Sequence, residues 1–295
     1  MKYRLIALIL GLLLFSCSKE SSEIPNDPDE VQLISSISRD DETGVDSLFY
    51  ENNRLKAVQE YIEGNEFFEG GIDYITTYEY NSGNQLSQIS RIHSKSDIPD
   101  RVTRYFYNSD GTLKQRRTLY NSREVITDYT YEEERIRIHV GEDFEVRVNL
   151  DENRRIQNVE KKSFLNEGYY AFKTFEYDEN GNVTKLSIRQ SEESILEEYS
   201  FTYDDKENPF VVFDYKLPNG LSIKMLEETE RVSNYPFITD GSEDNYLGFF
   251  NTNNIISCIG FSNSEYSYTY NEMDLPSKIT YDFLQNKSSL ILTYY

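Results

Sequence analysis

Few residues in this chain have types and spacings that could do chemistry, and each has a simpler use. The two histidines, His93 and His139, lie on different repeats. A metal centre needs three or four convergent ligands, so both are expected on strand surfaces and no metal or cofactor is expected. Asp178-x-Asn180-x-Asn182 presents alternating side-chain oxygens, as a calcium loop does at its start. The bidentate Glu that closes such a loop is missing, as are its flanking helices, so this run is expected to be a hairpin turn. No nucleophile elbow, phosphate loop or Cys-His pairing is present. A glycoside hydrolase needs two carboxylates facing each other across a cleft, and sequence cannot pick such a pair from 52 acidic residues. The chain has 25 Tyr and no Trp. Tyr can stack on sugars, but most of these tyrosines stand where they would build a sheet.

The element that positions them is clearest at Phe175-Glu176-Tyr177-Asp178-Glu179-Asn180-Gly181-Asn182-Val183-Thr184-Lys185-Leu186. Phe175 and Tyr177 are two apart and share one face of a strand, with Thr174 and Glu176 on the other. Asp178 to Gly181 carry turn chemistry: Asp and Asn bond their own backbone, and Gly adopts a positive φ without steric cost. Beyond the turn Leu186 and Ile188 alternate with Lys185, Ser187 and Arg189. The unit is a half-buried β-hairpin. Variants of it place an aromatic before a turn at Tyr50, Tyr80, Tyr107, Tyr131, Tyr177, Tyr203 and Tyr270. Spacings in the twenties suit one hairpin with strands of about ten residues. The sequence therefore predicts an all-β antiparallel meander of about sixteen strands, closed barrel-like or strongly coiled because so wide a flat sheet would curl. Only Met225 to Val232 offers a short helix.

The Tyr-x-Tyr-Asp-x-x-Gly-Asn-Val-Thr form at Phe175 to Thr184 resembles the YD repeat of Rhs-type proteins. The whole arrangement looks closer to Bacteroidota-type lipoproteins of unknown function that include a porin-like fold. Two further pieces carry that resemblance: Asn208-Pro209-Phe210 after Tyr203-Asp204-Asp205-Lys206, and Leu275-Pro276-Ser277-Lys278-Ile279-Thr280. It covers roughly residues 45 to 295 and implies a fold and an address, since the group has no established activity.

The first residues agree with that address. Lys2 and Arg4 precede the apolar run Leu5 to Phe15, which is shorter than the ~20 residues a membrane helix needs. Leu14-Phe15-Ser16-Cys17 resembles the lipobox of bacterial lipoproteins, in which the Cys is lipidated and becomes the first residue. Residues 1–16 are thus expected to be a signal peptide, and Cys17 to Gln32 a lipidated, disordered tether, polar and Pro-containing. Ser18-Lys19-Glu20-Ser21-Ser22-Glu23 resembles the export signal of surface-facing Bacteroidota-type lipoproteins; a plain linker facing the periplasm is the alternative. If Cys17 carries lipid, Cys258 stands alone and no disulfide forms within the chain; a small buried residue is expected. The whole chain has net charge −22, and loss of Lys2 and Arg4 makes it two units more negative. Such a surface repels phosphate backbones, so nucleic acid is not an expected partner.

One domain is expected over residues 33–295. The repeat fails between Pro209 and Gly260, where Tyr215 to Gly220 and Tyr235 to Gly241 interrupt it and Tyr246-Leu247-Gly248-Phe249-Phe250 lacks clean alternation. Departures from local rules collect at functional or closing elements. This segment is read as a plug or lid, with Tyr235, Phe237, Tyr246 and Phe249 the candidate ligand contacts. Aromatics facing lipid around a charged lumen would fit the same alternation, so a membrane-spanning porin stays open at this stage. The preferred expectation is a non-enzymatic, surface-exposed module anchored in the outer membrane by its N-terminal lipid, binding a glycan or a protein. A carbohydrate-active hydrolase and a subunit of an outer-membrane assembly are the alternatives.

Overall fold

In a computed structural model, the structure describes residues 32–39, 44–64, 70–120, 122–164, 169–189, 197–230, 251–260, 263–283 and 286–295. Residues 33–295 form one compact unit. The first strands are β1 (Ile34–Arg39), β2 (Gly44–Glu51), β3 (Arg54–Ile62), β4 (Gly71–Tyr80), β5 (Leu86–His93) and β6 (Arg101–Tyr107). They continue as β7 (Leu113–Tyr120), β8 (Arg123–Tyr131), β9 (Arg135–Val140), β10 (Phe144–Leu150), β11 (Ile156–Ser163) and β12 (Tyr169–Tyr177). The last are β13 (Val183–Arg189), β14 (Glu197–Glu207), β15 (Asn253–Ile259), β16 (Ser264–Tyr270), β17 (Pro276–Phe283) and β18 (Asn286–Tyr294). Each pairs antiparallel with its neighbours in sequence, and β1 pairs with β18. The meander is therefore a closed 18-stranded barrel, wider than the sixteen strands expected. Closure removes the unpaired edges that a wide open sheet would expose.

Five hairpins share one turn. The N–H of Asn81, Asn108, Asp151, Asp178 and Asn271 donates to the carbonyl four residues on, and the N–H of Asn84, Gly111, Arg154, Gly181 and Asp274 donates back. Those five residues have positive φ. In four of the turns the leading Asx oxygen also accepts from backbone amides inside the turn, as Asp178 Oδ1 does from Asn182 N at 2.8 Å. The sequence motif is thus a fixed backbone geometry closed by its first side chain.

Register decides which face is inward. Phe175 (β12) lies opposite Leu186 (β13), and Tyr129 (β8) opposite Ile138 (β9); all four are buried in one cluster with Ile223, Met225 and Leu226. The aromatic face therefore lines the lumen. Four of the pre-turn tyrosines, Tyr80, Tyr107, Tyr177 and Tyr203, and Tyr294 of β18 each donate a hydroxyl to a carbonyl at the start of the preceding strand, at 2.5 to 2.8 Å. The phenol ring fills the lumen while its oxygen joins neighbouring strands, a bond of about 1 kcal/mol.

Outward positions carry polar and charged pairs along the strands. Gln88 donates to Glu79 and accepts from Arg104, Gln115 donates to Asp128 and accepts from Arg117, and Lys185 pairs with Glu198. The inverse arrangement, aromatics outside around a charged lumen, is not the one this chain adopts.

The lumen is filled by residues 208–230. Asn208 starts the segment by accepting from Phe210 N at 3.0 Å, and Pro209 opens a 3-10 turn, Pro209–Phe213. Phe210 and Phe213 pack among Ile34, Leu48, Val58, Ile255, Ile279 and Leu290. Next comes a small interior hairpin bridged at Lys216 and Ser222; Leu217 and Leu221 close the same turn used in the wall, with Gly220 at positive φ. Ser222 then caps helix α1 (Ile223–Glu230), its Oγ accepting from Met225 N. The helix expected at Met225 to Val232 starts two residues earlier, where that cap fixes it. Residues 253–259, expected within the irregular span, form β15 with partners on both sides. Cys258 lies on the lumen face of β15 as a buried free thiol, and burial pushes its pKa up to about 12.

Candidate functional site

The densest group of titratable side chains sits where α1 meets the wall. β6 brings Tyr105 and β7 brings Arg116 directly opposite each other, with Thr127 of β8 beyond. The Arg116 guanidinium lies 3.2 Å from Glu227 and 2.5 Å from Glu230. Tyr105 donates to Glu227 at 2.9 Å and Tyr129 to Glu230 at 2.7 Å. From strands four and five places further round the wall than β7, Lys161 of β11 donates to the Glu230 carbonyl, and Lys173 of β12 reaches the Glu228 carbonyl at 3.4 Å. Both lysines thereby donate to backbone carbonyls of the last described turn of α1.

The protonation states follow from burial and partners. Burial lifts the pKa of Glu230, with nearby Glu227 adding to it, while Arg116, Tyr129 and Lys161 oppose. Glu227 is equally shielded, but Lys224, Arg116 and the Tyr105 hydroxyl bring it below the ordinary carboxylate range. Burial pushes both phenols well up, keeping Tyr105 and Tyr129 as donors. Lys161 is lowered to about 8 by burial, with Lys173 assisting and Glu230 opposing; its ammonium sits 3.5 Å from the centroid of the Phe144 ring. Two carboxylates within one helical turn are the groups acid–base chemistry would use. Here one guanidinium bridges them and each accepts from a buried phenol, so the arrangement holds a helix against a wall.

A second feature lies at the end of the barrel that carries the tight turns. A surface cavity of about 590 Å³ is lined by Glu133, Glu134, Asp151, Glu152, Arg154 and Arg155, among others. Arg155 is already bound to Asp151 at 2.8 Å and lies over the Tyr177 ring, so this groove is acidic with its best-placed cation engaged. Among the described residues no group of three or more His, Cys, Asp or Glu could hold a metal ion. His93 pairs with Asp73 and His139 with Glu145, each partly exposed. Among the described residues no helix is long and apolar enough to cross a membrane, which says nothing of strands.

Cys17, Tyr235, Phe237, Tyr246 and Phe249 lie outside the described residues. The α1 constellation was not found from sequence. Arg116 reads as one more outward strand cation and Glu227 and Glu230 as two of many acids; the available sign was a helix-like stretch where the hairpin repeat fails.

No protein-family model matches the chain, nor does any curated protein. Among solved structures, a porin-like protein from Bacteroides uniformis aligns over 89% of this chain and 96% of its own, at 12% identity and a TM-score of 0.47. A porin-like protein from Bacteroides vulgatus aligns over 89% of this chain and 99% of its own, at 12% identity and a TM-score of 0.41. A TcdB2-TccC3 structure matches 84% of this chain but only 12% of its own chain, at 16% identity and a TM-score of 0.34. Likenesses this distant assign no activity.

Proposed function

We propose that this chain is a non-enzymatic binding or structural module, tethered to the outer membrane through lipid on Cys17 and facing the cell exterior. The observation that carries the reading is the polarity of the wall. Its aromatic face is spent on the lumen, around the chain's own residues 208–230, and its outer face carries hydrogen-bonded polar and charged side chains along the strands, with Arg104, Arg117 and Asp128 near strand centres. Lipid-facing charge is costly in a spanning barrel, so a barrel built this way needs a separate anchor, and the lipobox-like Leu14-Phe15-Ser16-Cys17 supplies one. The acidic surface favours a glycan or a basic protein partner over nucleic acid. Tyr235, Phe237, Tyr246 and Phe249 are assigned to its contact.

The test is cell fractionation with protease shaving, comparing the wild-type chain with Cys17→Ala. Wild type is expected in the outer-membrane fraction and to be cleaved on intact cells, while the variant leaves that fraction. Retention of Cys17→Ala in the outer membrane as a folded barrel overturns the tether in favour of insertion. Protection of the wild type until the cells are broken turns the protein toward the periplasm.

A further inference from the structure

Between Leu86 and Arg123 the chain carries eight Lys or Arg, three Asp and no Glu, against 30 basic and 52 acidic residues in all. That stretch forms β5, β6 and β7, so an acidic protein has a basic sector of wall. On its outer face Arg104 of β6 and Arg117 of β7 are exposed and directly opposed, and like charges at such positions repel. Each is fixed by a glutamine rather than a carboxylate: Arg104 Nε donates to Gln88 at 2.9 Å and Arg117 Nε to Gln115 at 2.6 Å. The glutamines in turn donate to Glu79 at 2.8 Å and to Asp128 at 2.7 Å. Two such relays flank the pair, one on each side, and among the described residues neither guanidinium is ion-paired. Arg137 and Arg147 are opposed in the same way across β9–β10, but there Glu132 and Glu145 take one each.

Holding each guanidinium through Nε leaves its terminal N–H groups oriented for a pair of carboxylate or sulfate oxygens. Phe106, exposed beside them with Arg117 5.2 Å over its ring, adds the apolar contact that the C–H face of a sugar makes. Glu79 on β4 and Asp128 on β8 bound the positive strip, four strand spacings or about 19 Å apart. One extended anionic chain fits between them, whereas a flat anionic bilayer would meet both carboxylates. The net charge of −22 repels a polyanion at long range, but at physiological salt that repulsion is screened beyond about 8 Å, so the local excess governs contact. We infer that the outer face of β5–β7 binds an acidic polysaccharide, with Arg104 and Arg117 on its carboxylate or sulfate groups. This surface is defined without Tyr235, Phe237, Tyr246 and Phe249 and is independent of how the protein is anchored.

Affinity electrophoresis of the full mature chain carrying Cys17→Ala, in native gels containing polygalacturonate, dextran sulfate or neutral dextran, tests it. Retardation by at least one of the two acidic polymers is expected, with none by dextran. Adding Arg104→Gln and Arg117→Gln together should weaken that binding roughly tenfold or more, since each removes a charge-assisted contact. Adding Arg137→Gln and Arg147→Gln removes the same charge from an already neutralised pair and should leave binding within about twofold. If the double Arg104 and Arg117 variant does not fold, the two single replacements decide, each with a loss of roughly threefold or more. No retardation by either acidic polymer at low salt, or equal losses from the two arginine pairs, would overturn the inference. Tighter binding to single-stranded DNA or to phosphatidylglycerol vesicles than to both polysaccharides would overturn it in favour of that partner.

Discussion

The 3-10 turn at Pro209–Phe213 and the helix at Ile223–Glu230 fill two sides of one lumen by different means. The 3-10 turn drives Phe210 and Phe213 into apolar side chains from β1–β3 and β15–β18, and Asn208 and Asp214 cap its two ends. The helix packs an apolar face as well, but it also meets β6–β8, β11 and β12 through buried charge. Apolar packing is indifferent to small rotations of the packed group, whereas a guanidinium bridging two carboxylates is satisfied in one orientation. The difference teaches that volume is filled on one side and orientation is fixed on the other.

The sharpest way to break this contrast is to empty each side in turn. Phe210→Ala is expected to cost about 3–5 kcal/mol, measured by denaturant unfolding, with every region weakened together because the loss is core volume. Arg116→Met is expected to cost about 3 kcal/mol, with protection lost first in α1. The combined replacement Arg116→Met, Glu227→Leu and Glu230→Leu, with Tyr105→Phe and Tyr129→Phe so that neither phenol loses its acceptor, should return to wild-type stability or exceed it by about 1–4 kcal/mol. If that combined variant is as unstable as the single one, the charges do more than fix orientation.

A smaller effect isolates Lys161. Its folded-state pKa of about 8 lies below the 10.5 of an unhindered lysine, so the folded protein disfavours the charged form and that penalty is complete below pH 8. As pH rises from 8 to 10.5 the unfolded chain holds more protons on this residue, and stability must rise, by an amount on the order of 1–3 kcal/mol. Comparing unfolding of the wild type and Lys161→Met across pH 8 to 10 cancels the tyrosines common to both. An identical slope in the two proteins would remove Lys161 from the account.

The smallest expected effects compare two turns of identical geometry. Gly111 and Gly181 occupy the same position with φ of 83° and 87°. A Cβ at Gly181 meets nothing within 4 Å, but at Gly111 it would lie 2.7 Å from Pro218 of the lumen segment. Gly181→Ala should therefore cost about 1 kcal/mol, the left-handed penalty alone, and Gly111→Ala measurably more by the same unfolding assay. Equal costs would mean that the lumen segment does not rest on that turn.

The barrel was legible in the sequence because its unit is local. Phe175-x-Tyr177, the Asx-to-Gly turn and the alternation after it are all set within a dozen residues, and each copy repeats the statement. The count fell short because divergent hairpins such as β1–β2 carry less of the motif. Pairing across the lumen was not legible. Nothing near Arg116 in sequence indicates Glu227, and a strand cation facing inward breaks the alternation rule that made the wall readable. The interior hairpin at 216–222 was masked in the same way: it uses the wall's turn, but Leu217 replaces the leading Asx by which the other turns are recognised.

The seam between β1 and β18 has a further consequence. Leu33 accepts from the Tyr295 amide, and the Tyr295 hydroxyl reaches the Leu48 carbonyl, so the two ends of the barrel body are neighbours and the wall is topologically a ring. A ring has no privileged starting strand. Joining residues 33 and 295 through a short linker and opening the chain at the exposed turn around Ser82 and Gly83 should yield a circular permutant with the same barrel, because every strand keeps both partners and the lumen segment keeps its place between β14 and β15.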